Sequence, residues 1–272
     1  MGAILVDAGR LTEPSVEQIL SFQQERGGRF GEAGQALGLL TEEDVRFALS
    51  VQFDYPYLAP GSKLSHDLVA AYQPDSRPVE QLRALRSQLM LRWFSIGTGR
   101  NGLAIVSPGP KDGRSYIAAN LAIVFSQLGE RTLLIDADMR SPRQHALFNL
   151  GERAGLSDVL VGRAGLEAVA AIPGLSSLSV LPAGTTPPNP QELLGRAEFS
   201  NLLGSLGEDF SVMIIDTPAA SQCADAQTVA ARSGAALMVA RQNASSMPQI
   251  AKVARSLREF GVTLVGSVLN DV

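Results

Sequence analysis

"SPGPKDGRS", residues 107–115, is the stretch from which the rest of the chain is read. The apolar run "LAIVS" (103–107) enters it, and a helix follows it. A strand, a Gly/Pro-rich turn and a helix N-terminus in that order aim backbone N–H groups and a positive dipole end at an anion. The turn matches the phosphate-loop pattern G-x-x-x-x-G-K-[ST] only in part. Gly113 and Ser115 fit; Pro108 stands at the first glycine position with Gly109 beside it, and Arg114 stands at the lysine position. Alone, this match is no better than an ordinary strand-to-helix turn.

The sequence beyond the turn decides between the two. Strand-like apolar runs recur at "TLLID" (132–136), "LSVLP" (178–182), "VMIID" (212–216), "AALMVA" (235–240) and "TLVGSVLN" (263–270), with amphipathic helix-length stretches between them. That alternation predicts an α/β unit: a mostly parallel sheet with helices on both faces. Asp136 and Asp138 end the second run and Arg140 follows; Asp216 ends a later one, before Thr217 and Pro218. Strand carboxyl ends line the ligand crevice of an open parallel sheet. Carboxylates there, facing a phosphate turn, supply the hard oxygens that a magnesium–nucleotide site needs. A strand-end aspartate often only caps the next helix, which explains one of the three more easily than all of them.

The first 52 residues contain a repeat. Shifted by 29, Gly2, Gly9, Leu11, Thr12, Glu13, Val16, Leu20, Ser21 and Gln23 recur as Gly31, Gly38, Leu40, Thr41, Glu42, Val45, Leu49, Ser50 and Gln52. Each unit reads as a short helix, a glycine stop at Gly9 or Gly38, and a second helix capped by Thr12 or Thr41. Val16 and Leu20, like Val45 and Leu49, are four apart and predict an inward stripe. Pro56, Pro60, Pro74 and Pro78 then punctuate a boundary region with room for one short helix near His66–Tyr72. The expected domains are a helical repeat domain at 1–58, a linker at 59–78 and a nucleotide-binding domain at 79–272, opening with a helix at about Val79–Trp93.

Composition excludes several classes. The formal net charge of −4 argues against a nucleic-acid partner. Lys63, Lys111 and Lys252 are the only lysines, so arginine carries nearly all the positive charge. One cysteine, Cys223, excludes an internal disulfide and predicts a reducing compartment. His66 and His145 are isolated, with no metal-ligand spacing. No apolar run reaches transmembrane length and no signal peptide is read at the start, which predicts a cytoplasmic protein without a membrane span.

These motifs together carry a resemblance. From Glu80 to Asn270 the chain resembles the cytoplasmic domain of bacterial tyrosine kinases, a family of exopolysaccharide synthesis. "SPGPKDGRS" stands as its Walker A, "LLIDADMR" (133–140) as Walker A′ and "IIDTP" (214–218) as Walker B. "LPAGTTPPNPQELL" (181–194) is similar to a characteristic segment, and "EQLRALR" (80–86) to an E-x-x-R-x-x-R element of ring-like self-assembly. The whole chain is similar to the chain-length-determinant subgroup. The resemblance implies a P-loop NTPase fold of deviant Walker type, ATP and Mg²⁺ as cofactors, and protein-tyrosine kinase activity. It implies a membrane chain-length determinant protein as partner, holding the protein at the inner face of the membrane, and a homo-oligomer formed through Glu80, Arg83 and Arg86.

It also implies roles. Gly109, Pro110, Lys111, Asp112, Gly113, Arg114, Ser115 and Tyr116 would hold the nucleotide, with Asn270 at the adenine. Arg114 would neutralise phosphate charge, Ser115 and Asp136 would hold Mg²⁺, Asp138 would orient or deprotonate the acceptor tyrosine, and Asp216 would support the magnesium shell. Three positions depart from the family pattern: Arg114 replaces lysine, Lys111 replaces a usual glycine, and Tyr116 replaces a common threonine. The family's C-terminal tyrosine cluster is not matched, the tyrosines being Tyr55, Tyr57, Tyr72 and Tyr116. A catalytically weak nucleotide-binding regulator and a partition-type ATPase are the alternative readings. The repeats are similar to the front domain of type II secretion and pilus ATPases. That implies a cyclic di-GMP site on Gly2, Gly9, Gln23, Arg29, Gly31, Gly38 and Gln52, with a ligand-free helical docking module as the alternative.

Overall fold

The computed structural model describes residues 1–52, 58, 62–94 and 99–271. Tyr55, Pro56, Tyr57 and Pro60 lie outside the described residues, as does the expected start of the linker. The chain divides into two compact units, Met1–Ser62 and Lys63–Val272.

Among the described residues the first unit holds four helices: α1 (Gly2–Asp7), α2 (Glu13–Arg26), α3 (Phe30–Ala36) and α4 (Glu42–Gln52). The repeat recurs in its backbone. Gly9 and Gly38 follow α1 and α3 with φ of +67° and +69°, a conformation glycine adopts without penalty. Thr12 Oγ1 accepts the Ser15 N–H, and Thr41 Oγ1 accepts the Asp44 N–H. A Cβ added at Gly2 would lie 3.2 Å from Val16, and one at Gly31 would lie 2.9 Å from Val45. The same close helix approach is therefore made in both units. The core is Leu5, Leu11, Ile19, Ala33, Leu40 and Ala48. The stripe expected through Leu20 is corrected: Leu20 is 45% exposed, and Ile19, three residues on from Val16, takes the inward position.

The second unit opens with α5 (Val69–Tyr72) and α6 (Arg77–Arg92). Residues 63–78, expected as a linker, are part of this unit. Ala70 and Ala71 are buried, Asn120 Oδ1 accepts the Ala70 N–H at 2.9 Å, and Gln127 Nε2 donates to the Ala70 carbonyl at 3.0 Å. The prolines mask a short segment that docks through small apolar residues.

The order then runs β1 (Gly102–Val106), α7 (Arg114–Ser126), β2 (Thr132–Asp136), α8 (Gln144–Leu147), α9 (Leu156–Leu160), β3 (Ala170–Ile172) and β4 (Leu175–Leu181). It ends with α10 (Pro190–Gly195), α11 (Ala197–Asp209), β5 (Val212–Asp216), α12 (Asp225–Ser233), β6 (Ala235–Arg241), α13 (Met247–Glu259) and β7 (Thr263–Asn270). The seven strands lie in the order β3-β4-β2-β5-β1-β6-β7, parallel except for β3, which pairs antiparallel with β4.

Every residue of β1, β2 and β5 is buried, which is why these strands read as unbroken apolar runs. Val106, Ile135 and Ile215 pack with Phe199 and Leu203 of α11, Val229 of α12 and Leu257 of α13. Successive strand residues face opposite ways, and α7 packs across β1, β2, β4 and β5. Each Val, Leu or Ile removed from water contributes about 1.5–3 kcal/mol. The chain runs outward from β1 to β2 and β4, returns to β5, and only then crosses to β6. The order reverses beside β1, so the turn at Ser107–Gly113 lies at the crevice where such sheets bind ligands.

Candidate functional site

The turn is held in shape by its own side chains. Asp112, buried, accepts the Gly109 N–H at 2.8 Å. Gly113 has φ +97°, and a Cβ there would lie 2.1 Å from Asn270 Nδ2, so the position requires glycine. Asn270 donates to the Asp112 carbonyl at 3.1 Å. Lys111 also has a left-handed backbone, φ +60°, which fits a position where the kinase pattern carries glycine.

Arg114 is turned inward. Its Nε donates to the Thr217 carbonyl at 2.8 Å, and its Nη1 donates to the Gly109 carbonyl at 2.7 Å and to Ser107 Oγ. It therefore joins the turn to the residue that follows Asp216.

Asp136, Asp138 and Asp216 lie close to one another. Asp136 and Asp216 are fully buried and paired in register across β2 and β5. Asp136 accepts the N–H groups of Asp138, Arg143 and Gln144 at 3.2, 3.1 and 3.0 Å. Burial, and then the neighbouring Asp216, push its carboxyl well above the usual carboxylate range. Asp216 is pushed up to about 6 by burial, and the nearby Ser115 hydroxyl, the Gln144 hydrogen bond and the Arg114 charge hold it from rising further. One oxygen of Asp216, Oδ1, is buried without a partner. An uncompensated buried carboxylate oxygen is costly, so this acidic pair has the character of a cation site. Among the described residues no group of three or more His, Cys, Asp or Glu is arranged to hold a metal alone. The pair therefore suits an ion that takes its other ligands from water and phosphate, as Mg²⁺ does.

Asp138 accepts the N–H groups of Arg140 and Ser141 at 3.2 and 2.9 Å. It opens on a cavity of about 540 Å³ lined also by Lys111, Gly113, Arg114, Ser115 and Tyr116. Tyr116 also borders a second cavity, of about 380 Å³, where Asn270 meets α6. Of the nucleotide-site residues read from the sequence, Pro110, Lys111 and Gly113 through Tyr116 line the first cavity, Tyr116 and Asn270 line the second, and Gly109 and Asp112 brace the turn.

Three residues of the site carry no signal in the sequence. Gln144 donates to Asp216 Oδ2 at 2.8 Å and to the Ser115 carbonyl at 3.2 Å. Arg143 and Asp67 line the larger cavity, and Asp67 comes from the segment read as linker. Burial and then the Asp67 charge raise the Tyr116 hydroxyl. Arg140, next to the acidic motif, is committed elsewhere, to the fully buried Asp225 at 2.8 and 3.3 Å.

The self-assembly element is divided in the structure. Arg83 pairs with the exposed Glu80 at 3.2 Å, but Arg86 donates to the Val124 carbonyl of α7 at 2.6 Å. Arg86 thus supports the fold, which corrects the expectation that all three face a partner; α6 packs on α7, and the residue six on from Glu80 points to that seam. Trp93 is likewise internal, its Nε1 donating to the Gly102 carbonyl at 2.8 Å. Cys223 is half-buried.

No family model matches the chain. The tyrosine-protein kinase ptk of Acinetobacter johnsonii is 34% identical over 206 residues, 75% of this chain and 28% of that protein. The tyrosine-protein kinase YwqD of Bacillus subtilis (strain 168) is 32% identical over 210 residues, 77% of this chain and 88% of that protein. Among solved structures, the kinase domain of the Escherichia coli tyrosine kinase ETK superposes with a TM-score of 0.71 at 32% identity, covering 75% of this chain and 80% of that one. The chain thus spans little more than a quarter of ptk and most of YwqD.

Proposed function

The chain belongs to the bacterial tyrosine-kinase family, and on that premise we propose that it binds a magnesium nucleotide at Gly109–Tyr116 and transfers phosphate to protein tyrosine. The observation that carries the reading is the buried Asp136–Asp216 pair, which Gln144 joins to Ser115 of the turn and in which Asp216 Oδ1 is unpartnered. Backbone N–H groups of the turn would bind the phosphates. Ser115 and Asp136 would hold Mg²⁺, directly or through water, with Asp216 behind them. The ion, when bound, neutralises charge on the transferring group.

The remaining work falls to positioning and charge. Asp138, at the cavity edge and fixed by two backbone N–H groups, would accept the proton of the tyrosine hydroxyl. Asn270 would meet the adenine while clamping the turn at Asp112. Gln144 would hold Asp216 and the start of α7 together.

The same proposal extends to the biological setting: exopolysaccharide biosynthesis and chain-length control, with a membrane chain-length determinant protein as the proposed partner at the cytoplasmic face. No helix among the described residues is long and apolar enough to cross a membrane. Self-association would use Glu80 and Arg83. A regulatory reading, with nucleotide bound and transfer weak, draws on the inward commitment of Arg114. For Met1–Ser62 a docking role fits better than a cyclic di-GMP site, because Gly2, Gly9, Gly31 and Gly38 are accounted for by packing and turns and Gln23 donates to the Gly28 carbonyl.

Incubation of the full chain with Mg·ATP, with and without the cytoplasmic segment of its membrane partner, separates the readings. Phosphotyrosine that disappears in Asp138→Asn supports the kinase; nucleotide binding without phosphotyrosine in either condition supports the regulator.

A further inference from the structure

Two cations belong to the phosphate turn, and they are placed oppositely. Arg114 stands where the phosphate-loop pattern puts its lysine, yet it is only 8% exposed. Two of its three nitrogens are committed to Thr217, Gly109 and Ser107. Its charge also faces Asp216 and restrains the rise of that carboxyl. A rigid planar fork suits bracing several acceptors at once, and donors used in this way are not offered to a phosphate.

Lys111 is the reverse case. It is exposed at the crest of the turn and lines the same cavity as Ser115 and Asp138. Its backbone is left-handed at φ +60°, a strained conformation for a residue with a side chain. Backbone strain of this kind clusters at active sites and ligand clamps. Among the described residues its ammonium makes no hydrogen bond or ion pair, and a flexible four-carbon stem carries it as a compact point charge.

We propose that the phosphate-neutralising charge of this turn has moved from its end to its crest: Lys111 contacts the terminal phosphate of the bound nucleotide, while Arg114 is a positioning residue that braces the turn and balances Asp216. The assignment rests on the nucleotide reading above. It makes the Arg114 replacement and the Lys111 replacement one compensated change.

The test is calorimetry on the full chain with Mg²⁺, comparing Mg·ADP with a non-hydrolysable Mg·ATP analogue. Lys111→Gly removes the ammonium and suits the left-handed backbone. It is expected to weaken the triphosphate by about tenfold or more, the scale of one charge-assisted contact, while the diphosphate changes little. Arg114→Gln is expected to weaken both nucleotides together, leaving their ratio as in wild type. A triphosphate-to-diphosphate ratio unchanged in Lys111→Gly overturns the proposal, as does a ratio lost only in Arg114→Gln. Should Arg114→Gln fail to fold, the Lys111→Gly ratio decides alone. Wild type that binds neither nucleotide refutes the nucleotide reading itself, and the assignment with it.

Discussion

Asp136 on β2 and Asp216 on β5 are register partners on adjacent parallel strands, and neither is exposed to solvent. Two buried carboxylates side by side resist ionising together. Burial raises the Asp216 carboxyl to about 6, and burial and then the Asp216 charge raise that of Asp136 well above the ordinary range.

A pH dependence follows from the raised values. A carboxyl whose folded pKa exceeds its unfolded value binds more protons folded than unfolded between the two. Its contribution is fully present below the unfolded value, near 3.8, and is lost as pH rises through the folded value, about 6. Asp44 and Asp158 are shifted down and act in the opposite sense, toward acid, so the informative quantity is a difference. Asp216→Asn, without nucleotide or metal, is expected to gain thermal stability over wild type as pH rises from about 4.5 to about 7.5. A gap that stays constant across that range would show that the pair carries no such strain.

Arg86 and Arg83 separate fold from assembly. Losing the Arg86 bond to the Val124 carbonyl should cost about 1.5–3 kcal/mol, the scale for a charged donor. The exposed Arg83–Glu80 pair is worth about 0–1 kcal/mol. Arg86→Ala should therefore lower the denaturation midpoint clearly. The double variant Glu80→Ala/Arg83→Ala should leave it nearly unchanged while shifting sedimentation toward a smaller species. Unaltered sedimentation of the double variant would remove α6 from self-association.

Much of this was legible beforehand because the signals are local. Strand runs, the glycine turn and the strand-end aspartates depend on neighbours within a few residues, and the structure places them as expected. The antiparallel β3 was not legible, since three residues carry too little period to read. Gln144 and Asp67 act only after the chain folds back, one onto Asp216 and the other into the cavity beside Tyr116. Arg86 was misjudged because helical spacing gives a common face without saying whether that face meets solvent or α7.

The repeat supplies its own case. Leu5 and Gly34 are equivalent under the 29-residue shift, and one is a fully buried leucine while the other has no side chain. A Cβ at Gly34 would lie 2.5 Å from Leu40 Cδ1 and 3.1 Å from Ile19 Cδ1. Gly34→Ala should destabilise the N-terminal unit by about 1–3 kcal/mol through overpacking. Hydrogen exchange on the full chain should then rise in α1–α4 while Lys63–Val272 keeps its protection. Unchanged exchange in α1–α4 would mean that the core relaxes around the methyl. Cyclic di-GMP added to wild type should leave amide signals from Arg29 to Gly38 unmoved, and saturable shifts there would restore the nucleotide reading of the repeats.

Calorimetry of nucleotide binding with and without magnesium, on wild type and Asp136→Ala, decides whether the acidic pair belongs to the nucleotide site. One site per chain is expected in wild type, tightened by Mg²⁺, with that tightening lost in Asp136→Ala. Equal affinity of the two proteins for Mg·ADP would contradict that assignment, because the carboxylate pair would then take no part in binding.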